Sequence, residues 1–120
     1  MPLDSPFQPL QKFPSGIALA WNAITATTYT ASPQDSVLQT NNSAGTAVTL
    51  PLSTSVPAGF RLTVVNAGSA GTTTVTPSEG PPDDTINGSD ASFTTGLTTQ
   101  WGSVVFISDG ISNWIAVAGA

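Results

Sequence analysis

Short β-branched and aromatic runs, each closed by Gly, Pro, Asn or Asp, bias this chain toward many brief strands. Nothing between them repeats with the 3.6-residue period of an amphipathic helix over a useful length. Strands are expected over Ile17 to Trp21, Thr27 to Thr30, Asp35 to Thr40, Thr46 to Leu50, Phe60 to Val65 and Thr72 to Thr76. Shorter ones follow at Thr85–Asn87 and Ser92–Thr94, either side of Gly88. The last pair is the clearest. Val104–Ile107 and Trp114–Val117 flank Asp109-Gly110, a strong turn signal. Roughly eight to ten strands at this spacing imply an all-β domain, a β-sandwich, jelly-roll-like body or small barrel.

The first residues break the pattern. Pro2, Pro6, Pro9 and Pro14 recur with Leu3, Phe7, Leu10 and Phe13 between them. Each proline lacks an N–H and restricts its predecessor, so helix and central strand are both forbidden. Residues 1–14 therefore read as an extended, polyproline-like arm, and residues 15–120 as the body. A free linker does not normally carry two Phe and two Leu. The arm either packs back onto its own domain or reaches another protein chain.

Composition then excludes most chemistries. At 120 residues and 12.1 kDa the chain is one domain. Charged residues are 8%, only Lys12 and Arg61 are basic, and the net charge is -5. With no Cys and no His, there are no disulfides, thiolate nucleophiles, imidazole bases or Cys/His metal sites. Two cations cannot neutralise a run of phosphates, so nucleic acid is not an expected partner. In place of charge stand 18 Thr and 14 Ser, beside 39% hydrophobic residues and three Trp. Such a chain is too apolar and too poor in charge for disorder, and its surface is expected to be rich in hydroxyls.

Met1–Asp4 lacks the basic stretch and apolar core of a secretory signal, so export by that route is not indicated. No apolar run is long enough to span a bilayer. The sequons at Asn41 and Asn87 consequently carry little meaning.

The remaining candidates for chemistry are few. Glu79, Asp83, Asp84 and Asp90 cluster, and Asp109 sits in the last turn. A glycosidase needs two carboxylates facing one sugar bond, but this cluster lies in a Pro-rich loop where acids are simply solvated. Asp83, Asp84, Asn87 and Asp90 with Gly88 offer oxygen ligands for a structural calcium ion. The spacing is not that of an EF-hand, and turn capping is the alternative. Trp101 and Trp114 stand at strand starts. Burial in the core or a subunit interface is expected of them, with an exposed sugar-stacking platform as the sharper alternative. No cofactor, catalytic residue or metal site is expected.

Leu50-Pro51, Val56-Pro57-Ala58-Gly59-Phe60 and Leu62 to Asn66, followed by Thr74–Pro77, Asp84–Gly88, Ser103–Gly110 and Trp114–Ala116, form an ordered set of motifs. The series resembles a β-rich module of tailed-phage virion proteins: capsid decoration or cement proteins, head fibres and tail fibres. The likeness covers roughly residues 28 to 118, with an insertion-like Gly80–Asp83 as its departure. It implies a homotrimer that binds structures rather than transforming substrates. A chain of this length has room for one domain and an arm. A capsid decoration protein, assembled in the host cytoplasm and located on the virion surface, is thus expected over a fibre's receptor- or glycan-binding domain. Its partners would be the major capsid protein, further copies of itself and, on the outer face, host glycans. It would be no enzyme, and it would engage no nucleic acid and no membrane. Leu3, Phe7, Leu10 and Phe13 would dock on the capsid. Trp101, Phe106 and Trp114 would supply the core or the trimer interface.

Overall fold

In the computed structural model, residues 19–80 and 83–118 are described; the arm, with Leu3, Phe7, Leu10 and Phe13, lies outside them. The chain is all-β. Its strands are β1 (Trp21–Ile24), β2 (Thr28–Thr30), β3 (Val37–Thr40), β4 (Thr46–Thr49), β5 (Arg61–Asn66), β6 (Thr73–Thr76), β7 (Thr85–Ile86), β8 (Gly102–Ser108) and β9 (Asn113–Ala118). A single 3₁₀ turn, Ser53–Ser55, interrupts them among the described residues. Strand positions follow the local propensities closely. The strand expected over Ile17 to Trp21 instead begins at Trp21, and Ser92–Thr94 is reduced to one bridge between Phe93 and Val75.

Two sheets share one core. A six-stranded sheet runs β1-β3-β5-β8-β9-β7 and a three-stranded sheet runs β2-β4-β6. The first six strands are taken up alternately by the two sheets, and every pairing among them is parallel. The chain thus winds through three stacked turns: Trp21 lies beside Val37 and Val37 beside Thr63, while Thr28 lies beside Ala47 and Ala47 beside Thr74. Among these strands antiparallel pairing joins β5 to β8 and β8 to β9, while β7 lies parallel to β9. This wrap differs from a jelly roll, in which neighbouring strands are antiparallel.

Each strand sends alternate residues inward. Ile24, Leu38, Leu62, Val64, Val104, Phe106 and Trp114 come from the large sheet, and Val48 and Val75 from the small one, to fill the core. Phe93 packs edge-on to Phe106 with centroids 5.6 Å apart, and Phe60 edge-on to Trp114 at 6.3 Å. The small sheet turns Thr28, Thr30, Ala47, Thr49, Thr74 and Thr76 outward, which is where much of the threonine content resides.

Polar corners tie one turn of the wrap to the next. Asn42 Nδ2 donates to Thr25 O at 2.7 Å and Thr46 Oγ1 to Ala26 O at 2.9 Å, joining the first and second turns. Buried Asn66 donates to Leu97 O at 2.9 Å and accepts from Gly68 N at 3.2 Å. Such buried polar groups cost stability unless they are paired, so these corners define where the chain may bend.

Candidate functional site

Three of the carboxylates, Asp35, Asp84 and Asp109, are engaged in holding loops. Asp84 is only 2% exposed; its two oxygens accept from Ser53 N at 2.7 Å and Ser53 Oγ at 2.9 Å. Ser108 Oγ donates to Ser53 O at 3.1 Å, so one polar chain links the 3₁₀ turn, the loop before β7 and the end of β8. Asp35 accepts from Tyr29 Oη at 2.8 Å and Ser32 N at 2.9 Å, and Asn22 Nδ2 donates to the same phenol at 2.8 Å. Burial, then the Asp35 hydrogen bond and charge, push the Tyr29 phenol above its usual pKa.

Of the calcium candidates, Asp84 is thus bound to Ser53, and Asn87 Oδ1 accepts from Ala116 N at 3.0 Å. Asp83 and Asp90 face solvent. Asn87 has φ 52°, a left-handed conformation that Asn tolerates in turns. Among the described residues no three acidic side chains converge on one point. No pocket opens among them either, and no helix is long and apolar enough to cross a membrane.

Asp109 organises the β8–β9 turn. Its Oδ1 accepts from Ile111 N at 2.8 Å, Ser112 N at 2.9 Å and Asn113 N at 3.0 Å. These donors, Asn113 foremost, hold its carboxyl below the ordinary value. The folded pKa lies below the unfolded one, so this contribution is present above about pH 4 and is lost as pH falls through the folded value. Urea midpoints of the parent chain and Asp109→Asn are expected to converge as pH drops from 6 to 2. A gap that stays constant across that range would refute the assignment.

The aromatic candidates divide. Phe106 and Trp114 are fully buried within the chain's own core. They are therefore removed from any surface between copies, and such a contact must use other side chains. Trp114 Nε1 finds no acceptor among the described residues. Trp101, expected to be buried in the core or a subunit interface, lies outside the chain's own core: it is 64% exposed and has φ 67°. The reason is local: the Gly96 carbonyl sits where a side chain on Gly102 would be, and Trp101 N donates to Asn66 O. This tight loop tips the indole outward. A bulky residue in the left-handed region is uncommon and costs about 1–3 kcal/mol.

The surface that stands out is the outer face of the six-stranded sheet. Register places Trp21, Val37, Thr63, Val105 and Val117 in one row across five strands. Beside it lie the rows Ala23, Gln39, Val65, Ser103 and Arg61, Ile107, Ile115. Trp21, Val117 and Ile115 are 64%, 50% and 44% exposed. Arg61 is the one charge among these positions. A signal for this face was present in the sequence: Val104–Ile107 and Ile115–Val117 do not alternate apolar with polar. A strand of that kind is apolar on both faces, as strands covered on both sides are.

No protein-family model matches this chain, and no curated protein matches it.

Proposed function

We propose that this chain is a structural virion protein, a capsid decoration protein that binds and stabilises a phage head shell. The observation that carries the reading is the use made of its polar groups. Asp35, Asp84 and Asp109 cap turns and brace loops instead of lining a cleft, while outward Trp21, Val37, Val105, Ile107, Ile115 and Val117 share one sheet face. That is the construction of a part that assembles, and it accords with the resemblance carried by Leu50 to Asn66 and Ser103 to Ala116. In this reading the body is sandwich-like, two sheets over one core, and residues 1–14 form an extended arm. The protein is not an enzyme, works as a homotrimer and attaches to the major capsid protein of the virion.

Attachment rests on the arm. With Lys12 and Arg61 the only cations, ion pairs contribute little. Main-chain pairing with a capsid sheet edge, and burial of Leu3, Phe7, Leu10 and Phe13, supply the rest. Each such side chain contributes about 1.5–3 kcal/mol when fully buried, and three arms acting together multiply the effect. Deleting residues 1–14 is expected to leave a folded body that no longer binds undecorated particles, while the full-length chain stays bound in molar salt. Equal binding of both chains, or release of the full-length chain by salt, would overturn the mechanism.

One observation favours a second reading, a receptor- or glycan-binding fibre domain. Trp101 is held outward in an unfavourable backbone conformation beside exposed Thr98, Thr99 and Gln100, an arrangement suited to stacking on a sugar ring. Binding to a glycan panel that Trp101→Ala abolishes, with no binding to capsids, would replace the first reading by the second.

A further inference from the structure

We infer that copies of this chain associate through the outer face of the six-stranded sheet. This gives the homotrimer of the proposed function a specific contact surface.

Three observations converge on a second copy as the occupant. First, the face is mostly apolar where it is widest: Trp21, Val37, Val105 and Val117 share one row with Thr63 at its centre, and Ile107 and Ile115 lie in the next beside Arg61. The inward residues of the same strands, Leu38, Val64, Val104 and Phe106, are already fully buried. Strands β8 and β9 are thus apolar on both sides, and among the described residues the chain covers only one.

Second, the charge distribution suits self-association. Each copy carries a net charge of -5, so two copies repel unless they meet where the acids are not. No acid occupies a strand position of this face. Among the described residues, Asp35 and Asp84 are buried, Asp109 is in the β8–β9 turn, and Glu79, Asp83 and Asp90 lie in loops flanking β7; the seventh acid, Asp4, lies outside them. Arg61 is the single charge present, and it is basic. A strongly basic partner would find nothing to pair with here.

Third, the dimensions suit a weak, concentration-dependent contact. The three rows cross five, four and three strands; at about 4.8 Å between strands and about 6.8 Å between rows they make a footprint on the order of 400 Å². Two such faces together bury on the order of 800 Å², the scale of weak, transient contacts. Association is accordingly expected to depend on concentration in the micromolar range. It should persist or tighten in 1 M NaCl, since salt screens the repulsion between acidic copies and leaves the apolar contact intact.

The test is the mass of the full-length chain by light scattering or sedimentation, at rising concentration and at low and high salt. The expected result is three times 12.1 kDa; a dimer broken by the face variants would keep this contact and refute the trimer of the proposed function. Trp21→Glu with Val117→Glu changes the two ends of the central row at positions already solvent-facing. It should give 12.1 kDa with an unchanged far-ultraviolet spectrum. Arg61→Glu, made separately, places an acid on the face of every copy and should also lower the mass, even if the double variant fails to fold. Ile111→Glu, in the β8–β9 turn and away from the face, should leave it unchanged. A parent chain of 12.1 kDa at all concentrations, an assembly that salt dissociates, or face variants that keep the parent mass would each overturn the inference. A monomeric parent whose capsid binding is still lost on deletion of residues 1–14 would refute this contact and leave the arm mechanism standing.

Discussion

Phe106→Ala is expected to lower the unfolding free energy by about 3–5 kcal/mol, the range for emptying a large aromatic site in a packed core. Phe106 is fully buried on β8, beside Leu62 on β5 and Ala116 on β9, and its ring meets the edge of Phe93. Phe93 belongs to no strand. It is held by a two-way bridge to Val75 in the small sheet, with N–H···O distances of 2.7 and 2.9 Å. The Phe106 ring therefore helps fasten the two sheets together, and little around it can collapse into the space it leaves. Folded domains have a margin of about 5–15 kcal/mol, so the variant should be marginal at 37 °C. Urea unfolding followed by tryptophan fluorescence measures the loss. Exposed Ile111→Ala serves as the control and should shift the midpoint by no more than about 0.5 kcal/mol. A loss below about 1 kcal/mol for Phe106→Ala would mean that the ring is not part of a tightly packed core.

Gly71→Ala is the second large effect, expected at about 2–4 kcal/mol. Gly71 has φ +87°, a region costly for any residue with a Cβ. The space is occupied as well: an added Cβ would lie 2.6 Å from Gly45 N and 2.7 Å from Asn42 O. Gly45 itself has φ +89°, and its Cβ would meet Thr72 O at 2.5 Å. These glycines sit at successive corners of the parallel wrap, just before β4 and β6, and each is packed against the backbone of the other's corner. Ala at either position must push one turn of the wrap off the next. Gly59 has the same φ and nothing within 4 Å of an added Cβ, so Gly59→Ala should cost only the conformational part, about 1–2 kcal/mol. Equal losses at Gly59 and Gly71 would show that the close stacking of corners contributes nothing.

Where the chain is extended and where it turns is legible in its local residues. Val, Thr and Ile runs stop at Pro51, at Gly45 and at Asp109-Gly110 because those residues carry their conformational preferences wherever they stand. Of the inward set, Phe106 and Trp114 stood out in the sequence as core candidates, because large apolar side chains on strands seek burial. The absence of His and Cys likewise needed no structure to narrow the available chemistry. Pairing was decided elsewhere. Thr25, Ala26 and Thr27 between β1 and β2 make a corner into a second sheet rather than a hairpin, because the partners of β1 and β2 are β3 and β4 further along the chain. The turns of the wrap differ in length, so no period marks them in the sequence. The roles of Asp84 and Trp101 were equally tertiary. Ser53 is distant in sequence yet supplies both donors to Asp84, and the Gly96 backbone seated on Gly102 tips Trp101 outward. The face through Trp21, Val105 and Val117 exists only once β3 and β5 bridge β1 to the β8–β9 pair far along the chain. Local propensity acts over a few residues, whereas register is chosen by the burial of a whole face at once.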